Sequence, residues 1–239
     1  WTLNVPAADL AGLTDGSVTV TASVSDKAGN PASVDHNLTV DVTVPAVTIN
    51  TIAGDDVINV AEHSQAHVIS GTATGAAAGD KVTVTIGGQT YTTVLDAAGN
   101  WSVGVPASVI SGLSDGTVTV TASVTDAAGN TGTGSHEVTV DTGLPSVSFN
   151  AISDDNVLNA VEKGQDLRVS GTSANLAEGT VVAVTLNGKN YTATTAADGT
   201  WSLTVPAADL AGLGEANYTL SATATNGVGN SVSNTANLL

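Results

Sequence analysis

The residues of this chain that could do chemistry are mostly carboxylates, and they recur in sets. Asp55, Asp56, Asn59 and Glu62 crowd one stretch, and Asp154, Asp155, Asn156, Asn159 and Glu162 crowd another. Asp41 and Asp141 each precede a proline-containing segment, Asp80 closes a Gly-rich stretch, and Asp126 opens the pattern D-x-x-G-N that ends at Asn130. Carboxylates this close repel unless a cation lies between them. Hard oxygen ligands at such spacing suit Ca²⁺ rather than Zn²⁺ or copper. The spacing is not that of an EF-hand, because the central Gly and the twelfth-position Glu are missing. The alternative is a solvated acidic loop that binds nothing.

Other chemistries find no support. Neither His36 nor His136 stands in a recognisable order with a nucleophile and an orienting acid, and no phosphate loop or zinc spacing is present, so no catalytic site is expected. The 22 acidic groups against 5 basic ones give a formal charge of -17, which argues against nucleic acid or an anionic membrane as partner. No apolar run approaches the ~20 residues of a membrane helix. Zero cysteines rule out disulfide stapling, and the lack of any Met implies an internal piece of a longer protein. The three Trp read as core anchors rather than sugar platforms. Asp96 and Asp198 do not hold one position between copies, so their turn reads as ordinary Asp/Gly chemistry, whereas Asp26 and Asp126 keep theirs. Asn226 replaces that Asp in the third copy, which weakens any cation site there.

The elements that position these groups come in a repeat of 100 residues: Trp1, Trp101 and Trp201 open WTLNVPAADLAGL, WSVGVPASVISGL and WSLTVPAADLAGL. Within one repeat, alternating runs at Val47-Ile49, His67-Thr74, Lys81-Ile86, Thr90-Leu95, Trp101-Val105, Thr117-Thr125 and Glu137-Val140 predict seven short strands. An all-β, immunoglobulin-like sandwich accommodates them. Gly87-Gly88 and Asn187-Gly188 read as hairpin turns, and Pro106 to Leu113 as a short helical crossover. Boundaries placed at Pro45 and Pro145 give modules 45–144 and 145–239, with residues 1–44 the last part of a module whose first half is missing. Such modules in series predict a linear rod whose stiffness lies in its linkers. Sandwich topology brings Asp55, Asp56 and Glu62 to the same end as Asp141, and brings the loop from Asp126 to Asn130 against Asp41, with Asp80 nearby. A calcium site at each module junction, fixing the angle between modules, is the expectation.

The strings VTVTASVTDAAGN, VTVDTGLP, NVLNAVEKGQ and DGTWSLTVPAADLAGL resemble the bacterial immunoglobulin-like repeats of giant Gram-negative adhesins exported by type I secretion. The likeness covers essentially the whole chain. It implies a secreted, cell-surface protein in which many modules, stiffened by Ca²⁺ near the linkers, hold a distant binding region away from the cell during biofilm formation or host attachment. It also implies Asp41 and Asp141 as linker ligands, with Asp126 and the acids of the DD/DN-x-x-N-x-x-E stretches as further ones. Gly143, Asn226 and the absence of an exit sequence after Leu239 depart from the pattern. Adjacent modules of the same chain are the partners expected for this segment, and host glycan or biofilm matrix would be met by other parts of the protein. The competing reading is a carbohydrate- or protein-binding module. It predicts a groove or exposed aromatic in one copy only, and the sequence shows none, although His63, His67 and Arg168 are unique to their copies.

Overall fold

The computed structural model describes residues 1–239. It is all-β, with strands β1 (Gly16–Ser25), β2 (Pro31–Val40), β3 (Ala46–Ile49), β4 (Val57–Ile58), β5 (His67–Thr74), β6 (Lys81–Ile86), β7 (Gln89–Val94), β8 (Asn100–Val105), β9 (Gly116–Thr125), β10 (Thr131–Val140), β11 (Ser146–Phe149), β12 (Leu167–Ala174), β13 (Val181–Leu186), β14 (Lys189–Thr194), β15 (Thr200–Val205), β16 (Tyr218–Thr225) and β17 (Ser231–Leu238). The one-turn helix α1 (Ala7–Leu10) precedes β1, and α2 (Val60–His63), α3 (Ala107–Ile110) and α4 (Ala207–Leu210) lie between strands. Pro6, Pro106 and Pro206 stand at the N-caps of α1, α3 and α4, where the missing N–H costs nothing. No helix is long and apolar enough to cross a membrane.

The chain divides into two compact units. The first comprises 1–51, 68–105 and 119–137. In it β1 and β2 form an isolated hairpin paired from Gly16 opposite Val40 to Ser25 opposite Pro31. The sheet β3-β5-β8 and the β7-β6-β9 pairings make up the rest. Val120 and Val124 are fully buried here, yet Val20 and Val24, 100 residues earlier on the hairpin, are 54% and 70% exposed. Trp101 is buried and Trp1 is exposed.

The second unit comprises 52–67, 106–118 and 138–239. In it β4 runs parallel to the end of β10, with Val57 opposite Thr139 and Ile58 opposite Val140. Two antiparallel sheets, β11-β12-β15 and β14-β13-β16-β17, enclose a core of Ile152, Val169, Val182, Val184, Val205, Leu210, Leu220 and Leu238. Their strands alternate as half-buried strands do, β15 reading exposed-buried throughout. Trp201 lies under β12 with Phe149 packed edge-on at 5.4 Å. Gly171 makes room for it, since a Cβ there would collide with the Ser148 carbonyl and lie 2.5 Å from Trp201 Cζ2.

Six of the seven strands read from the sequence match within one residue at each end, and two of these, His67–Thr74 and Lys81–Ile86, match outright. The turns at Gly87-Gly88 and Asn187-Gly188 have the positive φ that two-residue hairpins need. The seventh strand is longer than Glu137-Val140, because β10 begins at Thr131. Thr-Gly-Thr-Gly at 131–134 lacks the β-forming pattern, but Gly132 and Gly134 let the backbone approach the carbonyls of Pro45 and Val47, where a Cβ would not fit. Strand β4 was not foreseen, two residues being too few to show alternation.

Candidate functional site

The acids of the first cluster close their own loop. Asn59 caps α2, its Oδ1 accepting from Ala61 N (2.9 Å) and Glu62 N (3.2 Å), while Glu62 Oε2 accepts from Asn59 N (3.1 Å). This is a capping box. Asn159 and Glu162 make the same reciprocal bonds ahead of a 3-10 turn at Glu162–Gly164, Oδ1 of Asn159 taking Val161 N at 2.9 Å and Oε2 of Glu162 taking Asn159 N at 3.0 Å. Asp55 and Asp155 accept from Val57 N and Val157 N, bonds of the Asx-turn type. Asp56 Oδ1 accepts from Ile52 N at 2.8 Å, and Asn156 Oδ1 accepts from Ile152 N at 2.9 Å. A carboxylate and a carboxamide thus do one job, so the turn uses an oxygen and not a charge. Asp154 shares the positive φ of this turn.

The D-x-x-G-N loops have a common internal network. Asp126 Oδ1 accepts from Ala128 N (3.0 Å) and Asn130 N (2.8 Å), and its Oδ2 accepts from Asn130 Nδ2 (3.0 Å). Asp26 and Asp96 make the same three bonds. The Asn130 amide, followed by burial in the opposite sense, sets the balance that holds the Asp126 carboxyl below its ordinary range. What separates Asp126 from Asp96 is the reach of its partner. Asn130 Nδ2 also donates to Asp41 O at 3.1 Å and stands 3.5 Å from Asp41 Oδ1. One hundred residues on, Asn230 Nδ2 donates to Asp141 O (2.9 Å) and Gly143 O (3.3 Å), and its Oδ1 accepts from Val60 N (2.8 Å). Asn226, in place of the Asp, takes Val228 N and Asn230 N on Oδ1 and donates from Nδ2 to Gly143 O at 3.3 Å.

A family model described as the bacterial Ig-like domain matches residues 43–142. The solved structure of a 1.5-MDa bacterial ice-binding adhesin, concerned with host cell surface retention, is 34% identical over 100% of this chain and 78% of its own, with a TM-score of 0.56. This chain belongs to the bacterial Ig-like family of adhesin repeats. A Ca²⁺-stabilised adhesin that helps an Antarctic bacterium reach out and bind ice is 38% identical at a TM-score of 0.55, and this chain spans 59% of it. No curated protein matches.

In this Ig-like chain the expected ligands are only partly brought together. The backbones of 56–58 and 139–141 do pair, Thr139 N donating to Asp56 O and Asp141 N to Ile58 O. Their carboxylates nevertheless serve separate local bonds, Asp141 Oδ1 taking Gly143 N at 2.9 Å. Asp80 Oδ2 takes Ala77 N within its own loop. No three acidic or imidazole groups gather as a metal cage. A smaller set of oxygens does converge: Asp126 Oδ2, Asp41 O and Asp41 Oδ1 all face Asn130 Nδ2, with Asp41 Oδ1 also taking Thr43 N at 3.1 Å. A flip of the Asn130 carboxamide would turn its oxygen towards Asp126 Oδ2 and Asp41 O, which is tolerable only with a cation between them.

Sequence reasoning missed the residues that hold the exit linkers. Asp15 accepts from Val42 N (2.6 Å) and from the Thr43 hydroxyl, and Asp115 accepts from Thr142 N (2.9 Å) and its hydroxyl (2.7 Å). The Thr43 and Thr142 hydroxyls are the main cause that holds both carboxyls below the ordinary range. The repeated Asp-Gly at 15–16 and 115–116 was the available signal. His63 is also less singular than its identity suggests. Its Nε2 bonds Leu113 O at 3.0 Å, and Lys163, 100 residues later, bonds Leu213 O.

Proposed function

We propose that the chain is a non-enzymatic extender segment of a bacterial cell-surface adhesin, built of modules 45–144 and 145–239 after the later part of a preceding one. The observation that carries this reading is the pair of side-chain clasps, Asn130 onto Asp41 and Asn230 onto Asp141, repeated 100 residues apart. Each ties the loop between a module's last two strands to the peptide that leaves the module before it. A contact that recurs at the same place in every repeat serves the connection, whereas recognition of one ligand needs only one module.

Calcium is proposed at the first of these places, with Asp41, Asp126 and Asn130 holding it and the ion supplying neutralisation of the facing carboxylates. The resemblance of the chain to a Ca²⁺-stabilised adhesin supports the ion's identity. The remaining candidates, Asp55, Asp56, Asn59, Glu62, Asp80, Asp141, Asp154, Asp155, Asn156 and Glu162, sit in caps and turns. Export to the cell surface by type I secretion, and service in biofilm formation or host attachment, complete the proposal and rest on the family likeness. Small-angle scattering tests it. An extended particle is expected, and a compact one, with modules folded back on each other, overturns the extender role. Calorimetric titration of the chain with Ca²⁺ should give heat that Asp126→Asn abolishes.

The binding-module reading has one observation in its favour. A groove of about 600 Å³ in the second unit is lined by Phe149 and by Asn150, Asn156, Asn217, Asn234 and Asn237. Four of these asparagines replace Asp56, Thr117, Gly134 and Glu137 of the preceding copy, so charge gives way to amides beside the chain's single Phe. Amides that both donate and accept suit a neutral polyol. A glycan array with the wild-type chain and Asn237→Asp tests this, and no retained glycan sinks it.

A further inference from the structure

The two clasps look alike in sequence, D-A-A-G-N against N-G-V-G-N, but they differ in what a cation would find. At the first, one carboxylate oxygen of Asp126 and one of Asp41 face the shared point, although Asp41 Oδ1 also takes Thr43 N at 3.1 Å, as Asp141 Oδ1 takes Gly143 N; the charge of Asp126 is what the second junction lacks. At the second, Asn226 supplies no charge. Its Oδ1 is engaged by Val228 N and Asn230 N, and Asp141 Oδ1 is engaged by Gly143 N. Asn230 is 2% exposed, and its amide is fixed in orientation at both ends: Val60 N donates to the oxygen, and Asp141 O and Gly143 O receive the nitrogen. A flip would set the oxygen against two carbonyls and the NH₂ against a backbone N–H. Three bonds would become three repulsions. Gly143 O receives a further N–H from Asn226, so positive amide hydrogens already occupy the place that a metal ion would take.

We infer that the junction ahead of residues 145–239 is closed by the carboxamides of Asn226 and Asn230 without a metal ion, so that calcium governs one junction of this chain and not the other. The inference rests on the extender reading for its purpose, but its geometry stands apart from it. The clasp reaches three separate parts of the chain: its own loop at 226–230, the linker at 141–143, and the N-terminus of α2 at Val60. Every donor and acceptor named here is matched, and with Asn226 in place of Asp126 only one carboxylate, Asp141, stands at this junction where two, Asp41 and Asp126, stand at the first, which removes the like-charge repulsion that a cation would relieve. A stalk with junctions of both kinds keeps some of its angles fixed when calcium is scarce.

The chain has no cysteine, so a pair of spin labels can be placed without background. Labels at Ser64→Cys and Ala197→Cys, both exposed and both within the second unit, report the junction by the width of their distance distribution. The wild-type width is expected to be narrow and equal in calcium and in chelator. Asn230→Ala should broaden it equally in both. Asn226→Asp, which sets a carboxylate against the Gly143 carbonyl, should broaden it in chelator and narrow it again with Ca²⁺. A wild-type distribution that broadens on chelation overturns the proposal, as does an unchanged width in Asn230→Ala. If Asn230→Ala proves unfolded by circular dichroism, Asn226→Asp decides alone, and its indifference to calcium overturns the proposal. Scattering that shows a compact particle while this width stays narrow would remove the extender role and leave the clasp standing.

Discussion

At the scale of the residue, most oxygens of the acidic stretches, carboxylate and carboxamide alike, organise backbone. Asn59 illustrates it: its oxygen satisfies two N–H groups that the first turn of α2 leaves free. Asn59→Ala should therefore lower stability by about 1 kcal/mol in urea unfolding, with Asn59→Asp retaining most of it. The spacing N-x-x-E was present in the sequence, but clustered acids suggested metal before they suggested a cap. Asp115 carries a pH dependence. Its folded carboxyl is held below the ordinary 3.8, chiefly by the Thr142 hydroxyl, so its bonds contribute above that value and are lost as pH falls through the lowered one. Hydrogen exchange at the Thr142 amide, corrected for its intrinsic pH dependence, should lose protection over that acid window, and Asp115→Asn should remove the transition. Tyr191 marks the opposite direction. Burial, then the bond to Asp209 at 2.8 Å and its charge, push the phenol up to about 12. Ultraviolet titration should show one of the three tyrosines ionising late, and Asp209→Asn should bring it part of the way back.

At the scale of the element, Gly171 and Trp201 show why a sequence pattern finds strands more easily than it finds packing. Alternation in β12 and β15 announces two strands with one buried face, and the structure agrees. Nothing in the alternation says that the indole comes up against Gly171 in the middle of β12, where only a residue without Cβ leaves room. Gly171→Ala should cost roughly 1–3 kcal/mol or more by forcing either the indole or β11 to move. Denaturant unfolding followed by Trp fluorescence would measure it, and a neutral result would contradict the close approach. The start of β10 was hidden for a related reason, since Gly132 and Gly134 weaken the strand pattern locally while serving the approach to β3. The linker acids Asp15 and Asp115 escaped because they bond across 27 or more residues, Asp15 to Val42 and Thr43 and Asp115 to Thr142, beyond any local pattern.

At the scale of the molecule, 22 acidic residues and only 5 basic ones leave a charge of -17 that must be screened whatever the junctions do. Two effects of added salt are therefore mixed in any stability measurement, and they separate by ion. Screening of dispersed surface charge depends on ionic strength and shortens the Debye length to ~8 Å near 0.15 M, so sodium chloride should raise Tm and level off there. A cation held between Asp41 and Asp126 depends instead on the identity of the ion. Millimolar Ca²⁺ added at constant ionic strength should raise Tm further in the wild type, and Asp41→Asn/Asp126→Asn should abolish that increment while keeping the response to sodium. Calorimetry decides it. Equal increments from Ca²⁺ and Mg²⁺ at matched ionic strength would mean that screening alone acts, because a loose set of carboxylate and carbonyl oxygens favours the larger ion, whereas screening does not distinguish them.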